Sequence, residues 1–357
     1  MPPILKYVVR RLLTIPITLV IITAALFALL MLAPPQERAM LYLPENLPQR
    51  LTEEDIQRLI DRVIEDKGLD DPFPVQYVAW IGNLARGNWG YSPILREPVL
   101  PLLLARLPVT AELAIYSVLT FIPLGLLAGV AAARRARSST DAAFRTAAFV
   151  GTSLPPFIFG LLLLAVFYVA LGWFGPWRLG QDNDLFVRSA QFHTITGLIT
   201  IDGLLNGRPD ISLDALRHLV LPVLTLSLSH WATLGRLTRA GVLDEMDRVY
   251  IVSARARGLP SRAVVWRHAF RNALIPALNS TALSAASLVT GVFVVEAVFG
   301  FHGLSELVTL SLSFTPDVPM AAGFAVVSVL LVLPLMVALD LIQAAVDPRV
   351  REGIAGE

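Results

Sequence analysis

Few side chains in this sequence are placed to do covalent chemistry. Cysteine is absent, which removes thiolate nucleophiles, disulfides and Cys-ligated metal centres. Five histidines (His193, His218, His230, His268, His302) form no H-E-x-x-H or comparable metal spacing. The two lysines, Lys6 and Lys67, lie in no G-x-x-x-x-G-K-[ST] loop, so the sequence has no phosphate cradle of its own. A membrane hydrolase would need a nucleophile paired with a base. Ser227 and Ser229 do precede His230, and Ser280, Ser284 and Ser287 follow, but hydroxyls like these are ordinary packing residues between membrane helices.

The chemistry that stands out is electrostatic and mechanical, in residues 240–272. The stretch reads as helix, break, helix. The first helix runs to about Arg257, Gly258 supplies the turn, Pro260 forbids continuation and Ser261 can cap the second helix. Ser253, Ala254 and Ala256 are small enough for a partner surface to approach the backbone. Arg255, Arg257, Arg262, Arg267 and Arg271 suit either acids on such a partner or anionic lipid head groups. The second helix runs directly into an apolar segment, so motion of the first can reach that segment as through a lever.

The elements that must position this loop are membrane spans. Of 357 residues, 55% are apolar and only 16% charged, against roughly a quarter charged in soluble domains. A net charge of +1 gives no global field for nucleic acid. Six segments approach the ~20 apolar residues that a span needs: 12–33, 113–133, 146–171, 219–235, 273–295 and 318–339. The first is too long for a signal-peptide core, which usually has about 7–15 residues, and reads as a retained span. With the N-terminus inside, 17 of the 29 basic residues fall on inner segments, as the positive-inside bias requires. Six spans then return the C-terminus to the cytoplasm.

Proline and glycine interrupt several spans, notably at Pro155–Pro156, Pro222, Pro276 and Pro334. These read as ordinary kinks or as hinges lining a pathway. Glu112, Glu296 and Asp340 lie at span edges, where solvation by nearby water is expected, and His230 is expected to pack. The polar stretch 34–108 contains a helix capped by Thr52, with an apolar stripe at Ile56, Leu59, Ile60, Val63 and Ile64 and a left-handed stop at Gly68. A second helix spans about 75–85. This insertion either covers the mouth of the spans or docks an outside partner. In the loop 172–217, Trp173 and Trp177 suit a membrane interface.

Residues 240–272 resemble the EAA loop of binding-protein-dependent ABC importer permeases, in the form of the dipeptide/oligopeptide/nickel class. Tyr250, Ala254, Arg255, Ala256, Gly258, Leu259, His268, Arg271, Asn272, Ala273 and Pro276 carry the match. The similarity extends in order through KYVVRRLLTIPITLV at the start, MLAP at 31–34, PVQYVAW at 74–80, NLARGNWGYS at 83–92, RLPVTAEL at 106–113, VEAVFGFHGL at 295–304 and DPR at 347–349. Val252 stands where the loop's eponymous glutamate would be and Ser253 where its first alanine would be. His302–Ser305 departs from the family's usual text after Phe299.

The resemblance implies an all-α membrane protein of six transmembrane helices, multi-pass in the cell membrane, with both termini cytoplasmic and a helical extracytoplasmic insertion. Residues 1–33 would hold the cytoplasmic N-terminus and span one, 34–108 the insertion, 109–346 the permease core and 347–357 a cytoplasmic tail. It further implies a second homologous permease subunit, two ATP-binding subunits or one fused ATPase, an extracytoplasmic substrate-binding protein and surrounding lipid. ATP and Mg would sit on the ATPase partners, with no cofactor or metal on this chain. Tyr250, Ser253, Ala254, Arg255, Ala256, Gly258 and Leu259 would meet the ATPase, and His268, Arg271, Asn272 and Pro276 would form the lever. Glu296, Phe299, Pro155 and Pro156 are candidates for a gate or pathway. The expected cargo is di- or oligopeptides, with nickel complexes or oligosaccharides as alternatives. A stand-alone ion-coupled transporter would need charged groups at mid-span and internal repeats, and neither is evident.

Overall fold

The computed structural model of the chain describes residues 3–40, 53–92, 94–312 and 317–346. The expected Thr52 cap and the 347–357 tail lie outside these residues. α1 (Pro3–Leu30) contains Pro16 and is followed by the short α2 (Pro35–Met40). α3 (Glu53–Lys67) and α4 (Phe73–Ala85) are the two helices expected in the 34–108 stretch. That stretch is not purely helical. β1 (Tyr91–Ser92) and β2 (Glu97–Pro98) pair antiparallel, Tyr91 opposite Pro98 and Ser92 opposite Glu97. Gly87, Gly90 and Pro98 punctuate the segment too closely for a helix to form there.

α5 (Val99–Arg134) starts earlier than the apolar run suggests and continues unbroken past Pro108 and Pro123. α6 (Ser139–Ser153) and α7 (Pro156–Leu163) follow, with π-helical turns over Leu164–Ala170. The expected span 146–171 is therefore two pieces, bent by 108° at the proline pair. Neither proline donates an N–H, and Pro155 pushes Leu154 into extended backbone, ψ 126°. α8 (Gln181–Val187) and α9 (Ile199–Leu205) lie in the next loop. α10 (Pro209–Met246), α11 (Val249–Ala256) and α12 (Ser261–Ala263) lead through π turns over Val264–Ala269 into α13 (Phe270–Phe299). α14 (Leu304–Leu312) and α15 (Val318–Val346) complete the fold.

Among the described residues, α5 and α10 are each long and apolar enough to cross a membrane. Two bent pairs raise the count to four if each is one span: α6 with α7, and Thr290–Phe299 with Leu304–Ser311, bent by 91°. α1 and α15 contribute the shorter apolar runs Pro16–Leu30 and Val318–Pro334.

Packing divides the chain into two compact units. One is built on Pro108–Ser305, and its main core joins α5, α10 and α13 through Leu113, Phe121, Leu221, Leu226, Leu288, Val292 and Phe299. α5 and α10 approach backbone to backbone: a Cβ on Gly129 would lie 2.5 Å from the Gly235 carbonyl oxygen. Small residues permit such contact between membrane helices. His230 packs as expected, its ring 5.4 Å from that of Phe121.

Glu112 is 1% exposed, so the expected solvation at a span edge is corrected. Its carboxylate accepts from Arg178 Nε at 3.1 Å and Nη2 at 2.5 Å, and from the Thr200 amide and hydroxyl at 2.9 and 2.7 Å. The 172–217 loop folds around Leu179, Phe192, Ile199, Ile211 and Ala215 and supplies the donors that water would otherwise provide. Trp173 and Trp177 are exposed, as a membrane interface would require.

The other unit comprises Leu12–Leu107 and Glu306–Leu330. The α3 stripe is buried as its period predicts, with Ile60, Ile64, Leu69 and Ala39 at its centre. Arg38 binds Gln76 Oε1 and the Leu69 carbonyl, both at 2.8 Å. Asp317 accepts from the Met320 amide at 3.0 Å at the start of α15, and the Ser92 hydroxyl donates to its other oxygen.

Candidate functional site

The 240–272 loop turns at Gly258 as expected, but the first helix, expected to run unbroken to about Arg257, is two pieces. α10 ends at Met246, a break at Asp247–Arg248 resets the chain, and α11 follows. Gly258 adopts φ +76°, the left-handed turn that glycine enters without a Cβ penalty. Pro260, rather than Ser261, stands at the cap position, and Ser261 begins α12. The Pro260 carbonyl receives the Ala263 and Val264 amides at 2.8 and 3.1 Å, the first bonds of the new helix.

Helical period divides α11 into two faces. Ile251 and Ala254 point inward into one core with Val130, Ala133, Val242, Val264, Val265, Ala269 and Ala273. Ala254, placed by its size on the partner-facing surface, is fully buried. The exposed face consists of Val249, Val252, Ser253 and Ala256, with Leu259 beyond the turn. Val249 is 85% exposed and Val252 57%, so this face presents apolar atoms to its surroundings. Among the described residues, Arg255, Arg257, Arg262, Arg267 and Arg271 make no ion pair. Arg255 reaches only the Met246 sulfur, at 3.9 Å.

Polar contacts fasten α11 to both neighbouring helices. The Tyr250 hydroxyl donates to the Glu245 carboxylate at the end of α10 and accepts from Asn272 Nδ2 in α13 at 2.8 Å. Burial, and then the carboxylate to which it donates, push the Tyr250 phenol above its ordinary range. Gly241 of α10 also lies close to α13: a Cβ there would be 3.3 Å from the Ala273 Cβ. The expected lever segment is continuous but wound as π-helix over Val264–Ala269, with His268 half-buried in it and Arg271 and Pro276 exposed beyond it. Such insertions concentrate at functional sites.

Two of the expected gate residues meet at a sharp corner. Glu296, 0% exposed, accepts from the Thr110 hydroxyl at 2.5 Å, from the Ser305 amide at 3.1 Å and from the Ser305 hydroxyl. Thr110 Oγ1 in turn accepts from the Leu304 amide at 2.9 Å. Together they cap α14, where negative charge suits the exposed N–H groups. A Cβ on Gly303 would overlap the carboxylate. Phe299, fully buried, touches α7: its ring edge is 3.2 Å from where a Gly160 Cβ would stand. Pro155 and Pro156 form the bend leading into α7. Glu296 is thus a buried anchor and not a solvated edge.

Sequence reasoning missed the partners that make these sites: Thr110, Arg178, Thr200, Glu245 and Gly303. Glu245 lies five positions from Tyr250 and Gly303 seven from Glu296, whereas Thr110, Arg178 and Thr200 are distant in sequence from the carboxylates they serve.

Comparison with known proteins gives this arrangement a context. Residues 122–352 match the family described as binding-protein-dependent transport system inner membrane component. Residues 4–114 match the N-terminal part of the membrane component of such systems. The chain is 34% identical over 349 residues to a di/tripeptide transport system permease protein of Pseudomonas aeruginosa, covering 97% of this chain and 99% of that one. It is 32% identical over 349 residues to an oligopeptide transport system permease protein of Bacillus subtilis, covering 96% and 98%. A dipeptide transport system permease protein of Alkalihalophilus pseudofirmus is 28% identical over 347 residues. With family descriptions matched over residues 4–114 and 122–352 and relatives matched almost end to end, the chain belongs to the family of inner membrane components of binding-protein-dependent transport systems.

Proposed function

We propose that the chain is the transmembrane subunit of an ATP-driven importer that carries peptides into the cell. The cargo assignment rests on relatives named for oligopeptide, di/tripeptide and dipeptide transport. The observation that carries the mechanism is the division of α11. One face is fused to α10 and α13 through a single apolar core, and the other offers Val249, Val252, Ser253, Ala256 and Leu259 outward beside arginines that make no ion pair among the described residues.

On this reading the exposed face, the Gly258 turn and Arg255 seat in the partner ATPase, and His268, Arg271, Asn272 and Pro276 belong to the lever. Closure of two ATPases, or of one fused pair, around ATP and Mg moves α11. The Tyr250–Asn272 link and the shared core pass that motion to α10 and α13. This is a two-state element biased by a ligand bound elsewhere. The chain holds no cofactor of its own. A second permease completes the pathway, a binding protein delivers cargo, and lipid surrounds the rest. Six spans place both termini in the cytoplasm. The divisions are 1–33 for the first span, 34–108 for the outside insertion, 109–346 for the core and 347–357 for the tail. Glu296 and Phe299, with the Pro155–Pro156 bend, close the outer side of the pathway.

Co-purification tests the reading. With its neighbouring subunits co-expressed, the native chain brings an ATPase with it in detergent. Val252→Arg, on the exposed face, leaves insertion unchanged and cuts ATPase recovery and peptide uptake by about tenfold, an interface loss of ~1.4 kcal/mol. Undiminished ATPase recovery and uptake by this variant would contradict the docking role.

A further inference from the structure

A buried ion pair at the loop end of α10 takes no part in the site described above. Asp141, in the first turn of α6, is 1% exposed. Arg239, seven residues before α10 ends at Met246, grips it in bidentate fashion, Nε to Oδ1 at 2.6 Å and Nη2 to Oδ2 at 2.9 Å. The same carboxylate accepts the Arg137 amide at 3.0 Å. Arg137 has φ +66°, a left-handed conformation that an arginine adopts only when its surroundings impose it. Asp141 thus holds the strained turn between α5 and α6 and ties it to α10.

Independent packing runs alongside the pair. Phe144 of α6 sits where a Gly235 Cβ would be, 2.9 Å from its ring, and packs edge-on against Trp231 of α10 at 5.7 Å. Val130 and Ala133 of α5 belong to the core that receives Ile251 and Ala254 of α11.

We propose that Asp141 and Arg239 are positioning residues that bind the α5–α6 turn to the base of α10, so that a push on α11 reaches α5 and α6 as well as α10 and α13. The proposal rests on the ATP-driven reading above. Without the clamp, α10 tilts while the α5–α6 turn lags, and ATP is hydrolysed without full opening of the path. A guanidinium fork is required, because a lysine ammonium cannot hold both oxygens in one plane.

The absence of cysteine from this chain makes a clean test possible when the partner subunits are cysteine-free variants. Ala136→Cys in the exposed turn and Asp247→Cys at the α10–α11 break are spin-labelled in the reconstituted complex, and their separation is measured with and without ATP. The native pair keeps one separation in both states. In Arg239→Lys and Asp141→Asn the separation becomes ATP-dependent. Cargo-stimulated ATP hydrolysis persists, and peptide transported per ATP falls by about fivefold or more. A purely structural role would lower transport and hydrolysis together and leave their ratio unchanged, and that result overturns the proposal. So does an ATP-dependent separation in the native pair. Arg239→Lys retains the charge and keeps the test decisive if Arg239→Ala fails to assemble. A native preparation that binds no ATPase would sink the underlying reading itself, and is scored separately from the spin-label distances.

Discussion

Gly258→Pro abolishes peptide transport and cargo-stimulated ATP hydrolysis while the chain still inserts in the membrane. The turn requires φ +76°, and proline is fixed near −65°. The Gly258 amide, which donates to the Arg255 carbonyl at 2.9 Å, would also be lost. α11 would then leave α12 in another direction, and Leu259 would leave the exposed face. A graded series isolates the backbone as the cause. No atom lies within 4 Å of a Cβ at this position, so side-chain size is not the obstacle. Asparagine tolerates the left-handed region and should keep most activity, whereas alanine costs ~1–2 kcal/mol and should be intermediate. Activities in the order Gly, Asn, Ala, Pro, measured in proteoliposomes with the partner subunits, are the expected result. An active proline variant would remove the turn from the mechanism. Ala254→Arg is no substitute as a test: with Ala254 wholly buried, it would force a guanidinium into an apolar core and break the loop itself.

Glu296→Ala and Gly303→Val should both destroy the corner between α13 and α14. The alanine variant leaves the Ser305 amide and the Thr110 and Ser305 hydroxyls without their carboxylate acceptor. Each orphaned buried group costs roughly 1–3 kcal/mol, so the sum is about 3 kcal/mol or more. Glu296→Gln should be nearly as damaging, because donors approach both carboxylate oxygens and an amide can accept on only one. Gly303→Val drives a side chain into the carboxylate from the other side. All three should lower the apparent melting temperature of the purified complex and abolish uptake. A pathway group that touched cargo would behave differently, with Glu296→Gln retaining stability and altering cargo preference. That pattern would make Glu296 a cargo contact and not an anchor.

Much of this was legible in the sequence because it is local. The α3 stripe, the Gly258 turn, the break at Pro260 and the apolar segments each depend on residues within one or two turns. The inward face of Ala254 was not legible. Its size fits either side of α11, and only the phase of the helix against Val242, Val265 and Ala273 decides. The 108° bend was hidden because Pro155–Pro156 occur inside an unbroken apolar run, where prolines more often kink than break. The buried carboxylates were misread for a different reason. Glu112 meets Arg178 and Thr200, and Glu296 meets Thr110, at separations of 66 to 186 positions. An acid at a span edge gives no sign of such distant donors. Asp141 did offer a hint, as the single acid among Arg134, Arg135, Arg137 and Arg145.

The central claim is that the exposed face of α11 receives force from a nucleotide-driven neighbour. Because the chain has no cysteine, Val252→Cys gives it one site for a photo-crosslinker, attached to the purified chain before the transporter is assembled. Cross-linking to the ATPase subunit, with a yield that changes when ATP is bound, is the result predicted. Adducts to lipid alone, with and without nucleotide, would contradict it.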